Sequence, residues 1–524
     1  MKCAKLRISE ALAEKLNQIV FSRYPDDEWG ALFKFGFRSD NEHGLLLTVA
    51  EVLEPGPGDL NGDVENVQFL EPYLLRAALS ANDDGLGMGV LHSHPEDYGV
   101  RPSRIDDQMD TYLRGYFGDF APGRPYASLI WSVGKDGLPR ASGRAWHNGQ
   151  WYPIETTVVG SALRRHFVPD RLRPVPEMVK KRLERFIGAM GEEAALRLWN
   201  STVAVLGTGG TGSASAHSLA RSCVGRIVLI DSDLIEISNS ERVHGCELRH
   251  LEMARKPSKV EIVRDLILRI NPEIEVIIIQ GNGLQDGAYE ELLHADIILG
   301  TTDTNHGRAA LGELAYRYLC TALQVNVVLE SQRDALTGQI VQFTRYRPGN
   351  PCPYCRDQVD TTKLSQELMS ETERLDRQAR AASAIARGER GDPYWRDEPV
   401  IPTVGSLTTN AGEMVANYAI GLLSGRYRPP NEFLEYNLLA PNLGVASLDL
   451  EPRSECLCSK RNGYSEQNPE GRIHRAPAHW APPIFQGDLD ESKSDTKVLK
   501  SPEKLVEGEL QVERKEAEDE QIDT

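Results

Sequence analysis

Two histidines, His92 and His94, stand two residues apart in the run GMGVLHSHP. On a strand that spacing turns both imidazoles to the same side, where they can bind one metal ion together. Asp106, in SRIDD just downstream, is a candidate third ligand. A catalytic zinc held by three side chains keeps its fourth position for water, whose pKa falls to about 7, so a nearby carboxylate must take up the proton during attack. Glu28, opening the run EWGALFKF, is the candidate base. A second locus is the glycine run GTGGTGS, set between a strand-like and a helix-like stretch. There Gly207, Gly209, Gly210 and Gly212 let the backbone approach a nucleotide and aim helix N-terminal amides at its phosphates. Asp231, at the end of the next strand, can hold ribose hydroxyls, and Asn239 and Arg242 follow three apart. The third locus is a set of two tight cysteine pairs, Cys352 with Cys355 and Cys456 with Cys458, which in a reducing compartment suggest metal.

These residues need particular elements beneath them. Residues 6–21 read as an amphipathic helix, EWGALFKFGF and GLLLTVAEVL as strands joined by the turn GFRSDNEHG, and LEPYLLRAALSAN as a second helix. With ASLIWSVG and RASGRAWHNGQWY as further strands, residues 1–155 form an N-terminal α+β domain. Residues 156–178, containing PDRLRPVPE, read as a proline-broken linker, and VKKRLERFIGAMGEEAALRLWN as the helix that leads into the glycine run. Strand, glycine turn, helix and strand are followed by two more such units, so residues 179–464 are expected to be a Rossmann-like, mostly parallel sheet covered by helices. The fold class is therefore α/β, an α+β domain followed by a parallel-sheet domain. Residues 465–524 mix proline with dense charge and few large apolar groups, and are expected to be a disordered or lightly docked tail.

A chain of 524 residues should hold two or three folded units. Its net charge of −18 and pI near 5.3 disfavour nucleic acid or an anionic membrane as partner, since either requires a basic face. A small protein with a basic surface fits better. No stretch approaches the ~18 uninterrupted apolar residues of a spanning helix, and the charged start MKCAKLRISEALAEKL has no apolar signal core, so a cytoplasmic location is expected. Eight cysteines are too few for a disulfide framework. Cys223 and Cys320 sit in apolar contexts and read as core.

An upstream Glu, then H-x-H-P, then S-x-x-D resembles the signature of the JAMM family of zinc isopeptidases. The resemblance implies that Ser103 donates a hydrogen bond to the tetrahedral oxyanion, and that the substrate is an amide at the C-terminus of a ubiquitin-like protein. The gap from His94 to Ser103 is one residue longer than in that family, which leaves Asp107 open as an alternative to Asp106. Further along, G-x-G-G-x-G, a D-x-D formed by Asp231 and Asp233, N-x-x-R, a Lys ahead of a helix and an Asp ahead of an Arg resemble the ThiF/MoeB-type, ubiquitin-activating enzyme family. The resemblance implies that Asp231 holds the ATP ribose, that Asp233 belongs to the same nucleotide site, and that Asn239, Arg242 and Lys259 neutralise the triphosphate. It further implies that Asp303 carries Mg²⁺ with Arg308 behind it, and that Arg185 reaches across a homodimer interface to the partner's ATP. The two cysteine pairs resemble that family's structural zinc site, although the second pair has one residue between its cysteines where two are usual. The cofactors implied are ATP, Mg²⁺ and two Zn²⁺, one catalytic and one structural.

The function expected is bifunctional: zinc-dependent isopeptide hydrolysis and ATP-dependent adenylation at the C-terminus of a ubiquitin-like protein, with a separate conjugating enzyme downstream. The alternative is activation and trimming of a sulfur carrier in molybdopterin, thiamin or cysteine synthesis. The crossover segment from Arg356 to Pro402 contains no cysteine, so adenylation without a thioester is expected. Cys246 is the one stray thiol, with a loop-packing role.

Overall fold

The runs ALF and GLLLTV carry no charged face, so the strands they form are buried on both sides there. In a computed structural model that describes residues 3–486, apart from 41–42, 65, 96–98, 135–138, 333–334, 396–401 and 449, the first sheet is built from β1 (Ala4–Ser9), β2 (Gly30–Asp40) and β3 (Gly44–Leu53). A small hairpin, β4 (Leu60–Gly62) with β5 (Val67–Phe69), precedes β6 (Gly87–Ser93), β7 (Tyr126–Val133), β8 (Pro139–His147), β9 (Gln150–Val159) and β10 (Leu163–His166). The order is β1-β3-β2-β6-β7-β8-β9-β10, and β1 also pairs with β9, which closes the sheet on itself. Phe33 and Phe35 of β2 enter the core beneath the helix Glu10–Val20, while Leu32, next to Phe33, enters the opposite core under the helices Glu71–Asp84 and Arg104–Phe120.

The second sheet follows the expected strand–helix alternation. It contains β11 (Thr202–Leu206), β12 (Arg226–Ile230), β13 (Glu275–Gln280), β14 (Ile297–Gly300), β15 (Ala322–Gln332), β16 (Ala335–Tyr346) and β17 (Phe433–Asn437), in the order β17-β16-β15-β14-β11-β12-β13. The strands from β15 to β13 are parallel, and β16 and β17 add antiparallel pairings at one side. The wholly apolar segments of β11, β12 and β14 are covered on both faces, as parallel strands in α/β folds are.

The two sheets belong to one unit, residues 1–483, joined through buried arginines. Arg7 of β1 donates to the carbonyls of Leu293 (2.7 Å), Ala295 (3.0 Å) and Tyr318 (3.1 Å), and Arg345 of β16 donates to those of Gly160 (2.6 Å) and Ser161 (2.9 Å). A guanidinium taken out of water must find such acceptors, so these contacts fix how the two halves sit. The second unit is residues 484–524, of which the described ones include the two exposed residues of a short strand, Ile484–Phe485. No helix among the described residues is long and apolar enough to cross a membrane.

Four expectations need correction. Residues 4–9 are strand, and the helix starts only at Glu10, with Ser9 as its cap accepting from Leu12 N (3.3 Å). The expected linker at 156–178 begins as sheet: the β-branched run Thr156–Val159 completes β9, and β10 pairs back onto it. The single helix expected ahead of the glycine run is three short ones, Glu177–Arg182, Glu184–Met190 and Glu192–Trp199, with Gly191 at φ 89° breaking the last two apart. The tail expected from residue 465 is firmly docked over its described part. Gly463 donates to Tyr316 O (2.9 Å), and buried Arg317 donates to the carbonyls of Gln467 (3.2 Å), Pro469 (2.9 Å) and Gly471 (3.1 Å). The reason is again an arginine that requires acceptors. The rest of the charged tail, 487–524, lies outside the described residues.

Candidate functional site

The strand register assembles the first site. β2 and β6 pair antiparallel with Gly30 opposite His92, so Glu28, two residues before Gly30, arrives beside His94. The helix Arg104–Phe120 starts with a capping box: Ser103 Oγ accepts from Asp106 N (3.1 Å) and the Asp106 carboxylate accepts from Ser103 N (2.5 Å). That cap turns Asp106 inward, 3.0 Å from His92 Nε2 and 3.4 Å from His94 Nε2, with Glu28 Oε1 4.0 Å from His94 Nε2. Asp107, the alternative ligand, points away and pairs with Arg144 (2.6 Å). Ser103 is exposed and its oxygen already accepts, which leaves the hydroxyl proton to be donated outward.

The donor set fits a divalent ion. His92, His94 and Asp106 are all buried, and their ligand atoms lie within 4.8 Å of one another. His94 Nδ1 is engaged with Gly99 O (3.1 Å), which turns Nε2 towards Asp106 and Glu28, while fully buried His92 has an Nδ1 with no hydrogen-bond partner among the described residues. Burial pushes the Glu28 carboxyl up to about 7, against the opposing pull of His94, so it can exchange a proton near neutrality. Burial acts on Asp106 in the same sense, but hydrogen bonds from His92 and His94 outweigh it and hold the carboxyl well below the usual range.

The second site is a cavity of about 890 Å³ over the C-terminal ends of β11, β12 and β14, where an open α/β sheet binds its ligands. The helix Gly210–Arg221 opens onto it, with Gly209, Gly210 and Thr211 in the wall. The glycines divide the work. Gly207 sits at φ 95°, and a Cβ on Gly212 would lie 1.8 Å from Gly207 O, so both are required by the turn itself. A Cβ on Gly209 would meet nothing within 4 Å, which leaves that position open to a ligand.

Asp231, Asp233, Asn239, Arg242, Lys259, Asp303 and Arg308 all line this cavity. Asp231 accepts from Thr208 N (2.6 Å) and Asp233 N (2.9 Å), Lys259 Nζ pairs with Asp233 (2.7 Å), and Arg308 donates to Gln358 O (3.1 Å) and Asn326 Oδ1 (3.3 Å). Asp303 is exposed on the loop leading to the helix Asn305–Arg317 and lines the same cavity as Arg242, Lys259 and Arg308. Arg185 does not line the cavity; it is exposed on the helix Glu184–Met190.

Two residues missed in the sequence come from the crossover segment. Lys363, on the helix Thr361–Glu367, lines the cavity, and Glu367 at the end of the same helix caps the helix that follows Asp303. The Glu367 carboxylate accepts from Asn305 N (2.8 Å), Asn305 Nδ2 (3.0 Å), His306 N (2.8 Å) and His306 Nδ1 (2.9 Å). Burial would raise its carboxyl, but these bonds hold it down at about 2. The only local sequence signal was the Asp360 cap, whose Oδ1 accepts from Thr362 N (2.9 Å).

The cysteine pairs meet despite their separation in sequence. Cys352 Sγ is 3.5 Å from Cys456 Sγ and Cys355 Sγ is 3.7 Å from Cys458 Sγ, a four-sulfur cluster with the spacing of a tetrahedral thiolate site. Cys246 is half-buried, and its thiol is raised by burial, the opposite of activation for a nucleophile.

Comparisons with known proteins centre on this second half. Over 118 residues the chain is 41% identical to the tRNA threonylcarbamoyladenosine dehydratase of Bacillus subtilis (22% of this chain, 44% of that one). It is 35% identical over 167 residues to the molybdopterin-synthase adenylyltransferase of Escherichia coli (32% and 61%), and 29% identical over 195 residues to the adenylyltransferase and sulfurtransferase MOCS3 of Aedes aegypti (37% and 42%). The chain thus spans only about half the length of these relatives. Among solved structures it is similar to E. coli MccB, at 20% identity over 54% of this chain and 74% of that one, but a TM-score of 0.40 is too loose to argue from. Residues 182–459, more than half of the 524, match the model of the ThiF family, and the chain belongs to that family.

Proposed function

We propose that this chain adenylates the C-terminal carboxylate of a ubiquitin-like protein at the cavity over β11, β12 and β14, and hydrolyses an amide at the same terminus at the His92, His94 and Asp106 cluster. One observation carries the first half: a helix N-terminus, the carboxylates of Asp231, Asp233 and Asp303, and cations that include Arg242, Lys259, Arg308 and Lys363 converge on one cavity. In the adenylation, a carboxylate oxygen attacks the α-phosphate and pyrophosphate leaves. The amides at Gly209 and Gly210, with Lys259, Arg242 and Arg308, stabilise the charge that builds on the phosphates. Asp231 and Asp233 orient the ribose. Asp303 would hold Mg²⁺, which when bound shares in neutralising the phosphates.

For hydrolysis, His92, His94 and Asp106 would hold Zn²⁺, which when bound makes water a nucleophile at neutral pH. Glu28 takes up the water's proton and returns it to the leaving amine, and Ser103 donates to the oxyanion. The support for this half is the mutual geometry of five side chains and the proton affinity of Glu28 near neutrality. The partners that follow are a ubiquitin-like protein, a conjugating enzyme, and a second copy of the chain whose Arg185 reaches the neighbouring ATP.

The named relatives favour a second reading, activation and trimming of a sulfur carrier, because two of them carry adenylyltransferase names tied to molybdopterin synthase or sulfur transfer. ATP–pyrophosphate exchange with small proteins encoded beside this gene separates the two. Exchange driven by a carrier whose freed C-terminus is then thiolated supports sulfur chemistry. Exchange followed by transfer to a lysine supports conjugation. No exchange with any of them refutes both.

A further inference from the structure

A third group of metal-ligating side chains lies away from both sites, where the β2–β3 turn meets the helix Asp286–His294. Asp40, the last residue of β2, is oriented by accepting from His43 N (2.6 Å). One of its oxygens stands 3.3 Å from His43 Nδ1 and the other 3.2 Å from His294 Nε2. The two imidazoles stack with centroids 4.5 Å apart and planes at 10°, although they come from halves of the chain separated by the whole of the first sheet. We propose that Asp40, His43 and His294 form a metal site for a divalent ion of the zinc type, which clips the first sheet to the second.

Four observations carry it. Ligand atoms from all three residues lie within 4.8 Å of one another. Donors about 2.1 Å from a common tetrahedral ion stand about 3.4 Å apart, whereas N–H···O bonds cluster near 2.9 Å, and the contacts here lie nearer the first spacing. His294 is only 4% exposed, and its Nε2 faces the Asp40 carboxylate at 3.2 Å inside the seam. Behind the other imidazole, His43 Nε2 lies 3.4 Å from Glu291 Oε1, and Glu291 is held by Arg226 Nη2 at 3.0 Å. A carboxylate behind a ligating histidine, itself anchored, is the arrangement that fixes ring orientation and tautomer at metal centres. Imidazole with carboxylate suits zinc and its neighbours rather than calcium or magnesium, which prefer all-oxygen sites.

The test counts metal on the full-length chain. The protein is stripped with a chelator, titrated with Zn²⁺ alone, desalted and assayed for zinc per chain by mass spectrometry. His43→Gln and His294→Gln should each hold one equivalent fewer than the parent, while a Co²⁺–thiolate absorption band from the four-cysteine cluster reports that they remain folded. Zinc content equal to the parent's in folded variants overturns the site. Where a variant loses the thiolate band, the reciprocal chain decides: His92→Ala with His94→Ala keeps the seam intact and should retain one equivalent beyond the cysteine cluster. Retention of the cysteine-bound ion alone in that chain overturns the proposal.

Discussion

Replacing Glu367 by glutamine keeps the side chain's shape and removes the charge that holds the crossover helix against the loop of Asp303. The carboxylate accepts four hydrogen bonds from Asn305 and His306, and an amide can accept at only one of its two ends, so about half of that cap becomes a donor facing donors. Holding a carboxyl at about 2 against its ordinary 4.5 corresponds to about 3 kcal/mol in favour of the charged form. With the side chain 18% exposed, solvent screening reduces this to about 2 kcal/mol. Because the folded pKa lies below the unfolded one, this stabilisation is complete above about pH 4.5 and is lost as pH falls towards 2. Thermal unfolding of parent and Glu367→Gln should therefore differ by a few degrees, by the same amount at pH 8 and pH 6, and converge in strong acid. Since Lys363 sits on the same helix, KM for ATP in pyrophosphate exchange should also rise several-fold. Equal melting temperatures at pH 7, or a gap that persists unchanged at pH 3, would show that the carboxylate does not hold the segment.

Asp303→Ala should reduce ATP–pyrophosphate exchange by at least ~10²-fold and leave amide hydrolysis within twofold of the parent, since the two sites share no residue; a parallel loss of both activities contradicts that independence. Glu28→Gln should retain zinc at the His92 cluster yet hydrolyse at least ~10²-fold more slowly, and in the parent the rate should decline as pH falls below about 7 because the carboxylate must be ionised to accept the proton; bound zinc draws that midpoint lower. Metal analysis showing that zinc leaves with Glu28 would make it a ligand instead. Arg185→Ala mixed with an Asp303→Ala chain should recover exchange in the heterodimer if the arginine acts on the partner's nucleotide; full activity of Arg185→Ala on its own refutes the reach across subunits.

Much of the geometry of the candidate sites was legible in one dimension because it depends on short spacings that the backbone converts directly into position. His92 and His94 share a strand face because side chains alternate, Ser103 and Asp106 share a capping box because the first helical turn brings N-cap and N3 together, and the glycine run must open a helix because only glycine tolerates its close approaches. Pairings between distant segments that no motif announced were not legible. Glu367 reaches the Asp303 loop only when the crossover folds back, and His43 meets His294 only when the two sheets dock. The first part of the expected tail departs from its reading for the same reason: composition measures how much apolar surface a segment can bury, whereas residues 467–471 are held by backbone carbonyls offered to Arg317, a partner about 150 residues earlier in the chain. Local pattern thus determined which residues could act, and tertiary docking decided which of them meet, because the desolvation of a few buried cations and imidazoles is satisfied only by groups far away in sequence.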